Sequence, residues 1–169
     1  AVLEQVRRLS AKPLRYVVNS HHHFDHAGGL RTAAAAGATL VVSEAARAWF
    51  ERVLANPNRV SPDALAKSGQ NVFLTAVNGR RTFSDGTHQV DVHFIEGSVH
   101  ARGFLMVHLP AERILIEADA FTPGAPGAAP PAQPNANHVK LVENVERLKL
   151  PIERIAPLHG RVVPWGELL

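Results

Sequence analysis

The sequence predicts an α/β fold with a mixed sheet, and three observations support this. Short β-prone runs alternate with helical stretches along the whole chain. Turn residues such as Asn56-Pro57 and Ser84-Asp85-Gly86 separate these runs. The length of 169 residues suits one domain with a core of its own. We therefore expect residues 1–169 to form a single domain.

Helices are predicted where apolar residues recur at helical spacing, and Ser43 and Gly37 suit the start of one helix and the end of another. These segments are residues 1–10, 30–36, 43–54 and 138–149. Strands are predicted where β-branched and aromatic residues cluster or alternate. They are residues 14–18, 38–42, 72–77, 87–95, 104–109, 113–117 and 154–156. The first of them is almost continuously apolar, so we expect both of its faces to be covered.

Composition narrows the classes of function. The net charge is +3 and the basic residues are scattered, so nucleic acid is not an expected partner. No apolar run is long enough for a membrane-spanning helix, and the first residues do not form a signal peptide, which leaves cytoplasm and periplasm both open. Residues 122–137 are rich in Pro, Gly and Ala and predict a long surface loop. Because the chain has no Cys, any metal must be bound by nitrogen and oxygen.

The strongest chemical signal is the run from His21 to His26, directly after the first predicted strand. In extended chain, residues two apart face the same way, so His21 and His23 can reach one metal together. Asp25 and His26 follow where the chain turns and can reach a second. A solvated loop or the remnant of a purification tag is the alternative. The run is internal and interrupted by Phe24 and Asp25, which favours a metal site.

This segment resembles the HxHxDH signature of the metallo-β-lactamase superfamily, and three later landmarks fit the same family. His100 follows a strand and has Gly103 three residues on, Asp119 follows two further strands, and His159 lies in a loop after a late short strand. Val99 and Glu117 depart from residues common in the family. The resemblance implies a four-layer αβ/βα sandwich with mixed sheets. It also implies that the first sheet is incomplete here, because family members have several strands before the HxHxDH loop.

The resemblance implies two metal ions bound by seven residues. His21, His23 and His100 would bind the first ion and Asp25, His26 and His159 the second, with Asp119 between them. Zinc suits this set, although iron or manganese would also be accepted. The remaining histidines are expected to be structural, with His22 pointing away from its neighbours. They are His22, His88, His93, His108 and His138.

The function implied is a metal-dependent hydrolase, with a zinc-bridging hydroxide attacking an ester, thioester, lactone, amide or phosphodiester in a small-molecule substrate. Asp25 would orient the hydroxide and move its proton. Two alternatives stay open: a mononuclear iron oxygenase of the same superfamily, and a non-catalytic remnant that binds metal. Because strands are missing, the chain is expected to be a fragment or a truncated form. It would then act as a homo-oligomer or with a second chain that supplies those strands.

Overall fold

The computed structural model describes residues 2–129 and 133–169. Helices and strands alternate through these residues, as the sequence predicts. The helices are α1 (Val2–Leu9), α2 (Phe24–Ala27), α3 (Leu30–Ala35), α4 (Arg47–Leu54), α5 (Ala64–Ser68) and α6 (Ala136–Arg147). The strands are β1 (Tyr16–Val18), β2 (Thr39–Ser43), β3 (Leu74–Val77), β4 (Arg80–Ser84), β5 (Gln89–Phe94), β6 (Leu105–Leu109), β7 (Ile114–Glu117), β8 (Arg154–Pro157) and β9 (Val163–Pro164).

The first sheet has the order β1-β2-β3, and both pairs are parallel. Parallel neighbours need a crossover, and helices occupy both connections here. On β2, Leu40 and Val42 pack against the helices, whereas Val41 faces the second sheet. This sheet is therefore wholly parallel among the described strands, and the mixture of strand directions lies in the second sheet.

The second sheet has the order β4-β5-β6-β7-β8-β9 and is mixed. Its strands pair in antiparallel fashion except for β7 and β8, which α6 connects. Met106 and Leu115 pack with Leu141 of α6 on the outer face. On the inner face, Val92 and Leu105 pack against the first sheet. The order helices, sheet, sheet, helix is the four-layer αβ/βα sandwich.

Most predicted elements are confirmed, with ends displaced by at most four residues. The structure adds α5, β4 and β9, which the sequence analysis missed, and it places α2 within the run from His21 to His26 and the alanine that follows it. Ser43 precedes a single 3-10 turn, Glu44–Ala46, and its side chain does not cap it, so the predicted N-cap bond is wrong. The loop predicted at 122–137 is confirmed for residues 122–129 and 133–135, whereas residues 136–137 belong to α6. Residues 130–132, like residue 1 of the first predicted helix, lie outside the described part of the chain.

The expected burial of the first strand on both faces is also wrong. Tyr16 is 42% exposed, and Val17 and Val18 are only partly buried. The cause is the position of β1, which pairs with β2 alone among the described strands. No helix in residues 2–129 and 133–169 is both long and apolar enough to cross a membrane.

The helical layer is joined by one ion pair, which gives a first prediction. Arg31 of α3 binds Asp63 through two nitrogens and donates to the Leu54 carbonyl at 2.8 Å. Asp63 also caps α5 by accepting from the Ala66 N–H at 2.9 Å. The Arg31 guanidinium and this N–H hold the pKa of Asp63 well below its usual range.

We expect Asp63→Asn to lower the melting temperature by a few degrees at pH 7, because asparagine still caps the helix but lacks the charge. A depressed carboxylate pKa stabilises the fold above the pKa of the unfolded chain, about 4, and that stability is lost as the pH falls further. The difference between Asp63→Asn and the unmodified chain should therefore shrink below pH 4 in thermal unfolding. A difference that stays constant from pH 7 to pH 3 would contradict the role given to charge.

Candidate metal centre

Seven predicted site residues meet at one edge of the sandwich. His21 and His23 follow β1, Asp25 and His26 lie on α2, and the other three follow β5, β7 and β8. Strands β5, β7 and β8 run in the same direction, so their carboxyl ends reach a common edge. The Leu105 N–H donates to the Ser20 carbonyl at 2.8 Å and ties the histidine loop to the second sheet. The site thus lies where both sheets end.

The first group consists of His21, His23 and His100. The Nε2 atoms of His21 and His100 are 3.1 Å apart, and the His23 ring centroid lies 4.4 Å and 4.6 Å from those of His21 and His100. One potential ligand atom from each residue lies within 4.8 Å of the others. His21 is fully buried, whereas the other two are partly exposed.

The second group consists of Asp25, His26, Asp119 and His159, and its ligand atoms also lie within 4.8 Å of one another. The Nε2 atoms of His26 and His159 are 3.1 Å apart. Asp25 Oδ2 lies 3.2 Å from the first of these atoms and 3.3 Å from the second. Asp25 and His159 face solvent, so this side of the site is open to a substrate.

Asp119 lies between the two groups. Its Oδ2 is 2.9 Å from Nε2 of His26, 3.2 Å from that of His21 and 3.3 Å from that of His100. This oxygen is buried, yet it accepts no hydrogen bond of normal geometry from the described residues. A carboxylate oxygen that lies among imidazole nitrogens and accepts no hydrogen bond has lone pairs that are free to bind a cation. The residues present therefore fit a metal ion.

The match to known proteins agrees with this geometry. The family model of the metallo-beta-lactamase superfamily matches residues 2–159. The chain belongs to this superfamily. A search of curated protein sequences finds no match.

Several solved structures are similar in fold to this chain. A metallo-beta-lactamase from Pontibacter korlensis has a TM-score of 0.69 and 20% identity, covering 99% of this chain and 71% of its own. An archaeal metallo-beta-lactamase superfamily protein from Sulfolobus tokodaii has a TM-score of 0.64 and 18% identity, and the match covers 93% of this chain and 66% of that protein. The metal-soaked Flv1 flavodiiron core from Synechocystis sp. PCC6803 has a TM-score of 0.68 and 20% identity, and the match covers 99% of this chain and 44% of that protein. The chain thus spans between less than half and about seven tenths of these proteins.

Three residues that the sequence analysis did not assign hold this superfamily site in shape. The Ser20 hydroxyl lies 3.1 Å from Nδ1 of His21, and the Asn19 amide donates to the His26 carbonyl at 3.1 Å. Glu117 accepts from the N–H groups of Ala120 and Phe121 at 2.9 Å and 3.1 Å, which shapes the turn that carries Asp119. Asn19 and Ser20 directly precede the motif, and Glu117 was noted only as a departure from the family.

Burial sets the protonation of the site. Desolvation, followed by the neighbouring histidines, lowers the pKa of His21 to about 3, and desolvation likewise lowers the pKa of His100. Both rings are therefore neutral at pH 7, the form that binds metal. Desolvation also raises the pKa of Glu117 to about 7, although the hydrogen bonds that it accepts from two backbone N–H groups act to lower this pKa.

The other predicted structural residues are found in ordinary packing or pairing, with two exceptions. The His22 ring packs edge-on against Trp49, with centroids 5.6 Å apart, and belongs to neither ligand group. Its centroid also lies 5.0 Å from that of His23, so the ring does not point wholly away from its neighbours as we expected. His138 packs on Phe121, and His88 pairs with Asp85. The exceptions are His93 and His108, which are buried beside an aspartate.

Proposed function

We propose that this chain is the metal-binding core of a hydrolase that uses two zinc ions. The observation that carries the proposal is the convergence of seven nitrogen and oxygen ligands in two groups, with the buried Oδ2 of Asp119 close to histidines of both. His21, His23 and His100 would hold the first ion, and Asp25, His26 and His159 the second. Asp119 would bind both, which its distances to histidines of both groups support. The absence of Cys from the sequence makes the donor set one of nitrogen and oxygen, which zinc accepts.

When bound, zinc polarises the oxygen of a scissile group and lowers the pKa of water towards neutrality. The chain's own contribution is to position groups and to move a proton. Desolvation acts to raise the pKa of Asp25, but its own backbone N–H and His26 outweigh it and the pKa is lowered. The carboxylate is therefore ionised at pH 7 and can accept a proton at Oδ2 on the exposed side of the site.

The rim of the site favours substrates with an apolar group. Phe24, Val99 and Leu158 are 88%, 61% and 59% exposed, and each is next in sequence to a proposed ligand. Exposed apolar side chains beside a reactive site bind apolar parts of a ligand. We therefore place esters, thioesters and lactones with apolar acyl chains ahead of amides and phosphodiesters.

An iron-dependent oxidoreductase is the second candidate, because the similar structures include flavodiiron proteins. Elemental analysis of protein purified without chelator separates the two. Up to two zinc ions per chain together with hydrolysis of the acyl substrates supports the first. Stoichiometric iron without hydrolysis supports the second. Stoichiometric zinc without hydrolysis would leave the metal-binding remnant, and a preparation that has no stoichiometric metal and no hydrolysis after zinc is added would contradict all three.

The adjacent pair His22 and His23 gives a matched test of the ligand assignment. We expect His23→Ala to abolish hydrolysis, because it removes one of three ligands of the first ion. The hydrolysis rate of His22→Ala should stay within a few fold of that of the unmodified chain, since the His22 ring packs on Trp49 and is not one of the proposed ligands. Hydrolysis rates and zinc content of the two variants measure this. Equal loss in both variants would contradict the assignment of alternating faces.

We also propose that the chain associates through the open side of its first sheet. Tyr16 of β1 is 42% exposed, Leu9 of α1 is 87% exposed, and a groove of about 740 Å³ lies between α1 and the start of β1. An exposed strand edge beside apolar surface favours pairing. Light scattering should give a dimer or larger assembly, or association with a second chain, burying more than roughly 2,000 Å². A monomer that melts cooperatively would contradict this.

A further inference from the structure

A second cluster of potential ligands lies on the outer face of the second sheet. Asp91 and His93 are two residues apart on β5, and His108 of β6 is paired directly with Asp91. The intervening Val92 points to the first sheet, so these three side chains point the other way, towards the layer that contains α6. None of the seven residues of the candidate metal centre belongs to this cluster.

Both histidines of this cluster are buried without satisfied rings. His93 and His108 are each 2% exposed, and Asp91 is 3% exposed. The Pro151 backbone lies near the His108 ring, but none of the four ring nitrogens makes a hydrogen bond of normal geometry to a described residue. Buried polar groups are nearly always paired, so two such rings side by side call for a partner that supplies what the chain does not.

We propose that Asp91, His93 and His108 bind a third metal ion, a divalent ion of the zinc class. One ligand atom from each residue lies within 4.8 Å of the others, a spacing that small side-chain rotations bring to a common ion. Two imidazoles and one carboxylate are a donor set that zinc accepts, with water in the remaining position.

The surroundings of Asp91 resemble those of a ligating carboxylate. Thr82 donates to its Oδ1 at 2.6 Å, and Gln89 donates to its Oδ2 at 2.9 Å, which fixes the orientation of the carboxylate. Arg80 also donates to Oδ2 at 2.9 Å, and its positive charge opposes a cation. Because the Arg80 side chain is 55% exposed, it can move into solvent when an ion binds. Removing Arg80 should therefore strengthen binding, whereas a hydrogen-bond network without metal would only be weakened.

An ion at this place would join β5 to β6 below the loop that carries His100. The pair Phe94 and Leu105 is the last before that loop, and His93 and His108 lie on the two strands leading to it. Binding of the third ion would thus restrain the hairpin that positions one ligand of the candidate metal centre. It would do so without contact with substrate.

Anomalous diffraction at the zinc edge tests the proposal on the unmodified chain. Crystals grown with zinc should show a peak within bonding distance of His93 and His108, separate from any peak beside Asp119. Absence of that peak would overturn the proposal. Peaks beside Asp119 would be unaffected by that outcome, so the third site and the proposed hydrolase can fail independently.

Zinc stoichiometry in solution, measured against a chelator of known affinity, provides the second test. His108→Phe and Asp91→Asn should each bind one zinc fewer than the unmodified chain, and two variants guard against misfolding of one. Arg80→Gln should bind the third zinc several-fold more tightly. Unchanged stoichiometry in the folded variants, or weaker binding in Arg80→Gln, would count against a metal site and favour a hydrogen-bond network.

Discussion

Replacement of Asp119 by alanine should abolish hydrolysis and reduce zinc binding at both positions of the candidate centre. The Oδ2 of this residue lies 2.9 Å and 3.3 Å from histidine nitrogens of the two ligand groups, so it is the one carboxylate that can serve both ions. Metal-assisted polarisation contributes several kcal/mol to a transition state, and each 1.36 kcal/mol is a factor of ten in rate. We therefore expect kcat/KM to fall by about 10³-fold or more.

Two further variants make the result specific. Asp25→Asn keeps the shape of an exposed side chain but loses the charge and the proton acceptor, so it should lose hydrolysis and retain the first zinc. His88→Ala removes an exposed histidine whose ring contacts Asp85 and Thr87, and it should change neither property. Zinc content and kcat/KM are measured on all three proteins. If Asp119→Ala retains both zinc ions of the candidate centre, not counting an ion at Asp91, His93 and His108, the bridging position of this carboxylate is refuted.

The elements that could be predicted are those defined by local patterns. Apolar residues alternate in β5 around Val92, and Gly37, where φ is 87°, lies two residues after the end of α3. The helix α5 also had local signals, the N-cap Asp63 and the left-handed Gly69, and could have been found. By contrast, β4 has the sequence Arg-Arg-Thr-Phe-Ser, which is mostly polar because it is an edge strand. It pairs with β5 in a hairpin closed between Ser84 and Gln89, so the turn at Ser84-Asp85-Gly86 was the one local signal for it.

The candidate site was predictable for a different reason. Its seven residues follow strands whose carboxyl ends meet at one edge, and the resemblance to the superfamily supplied their order. The cluster of Asp91, His93 and His108 was not recognised, because His108 approaches Asp91 only through the register of two strands. Similarly, nothing local to Glu117 indicates that its carboxylate accepts backbone N–H groups of the following turn. Burial of polar groups depends on which strands pair, and a single sequence does not state this.

Phe104 links the stability of the fold to the candidate site. It is 1% exposed in the core of the second sheet, and its ring lies 4.9 Å from that of His21 and 5.6 Å from that of His100. We expect Phe104→Ala to lower the free energy of unfolding by about 3–5 kcal/mol, through lost burial and the cavity left behind. The two histidines would lose a rigid neighbour, and zinc affinity should fall by about 10–100-fold, as when a supporting residue is removed.

Phe50 is the matched control for this prediction. It is 2% exposed in the core of the first sheet, on α4, and packs against Trp49 rather than a proposed ligand. Phe50→Ala should cost a similar 3–5 kcal/mol. Its zinc affinity should remain that of the unmodified chain wherever the protein is folded. Denaturant unfolding with chelator present gives the stabilities, and zinc competition in the absence of denaturant gives the affinities. If both variants lose zinc affinity equally, the effect follows global stability, and the direct support of His21 and His100 by Phe104 is refuted.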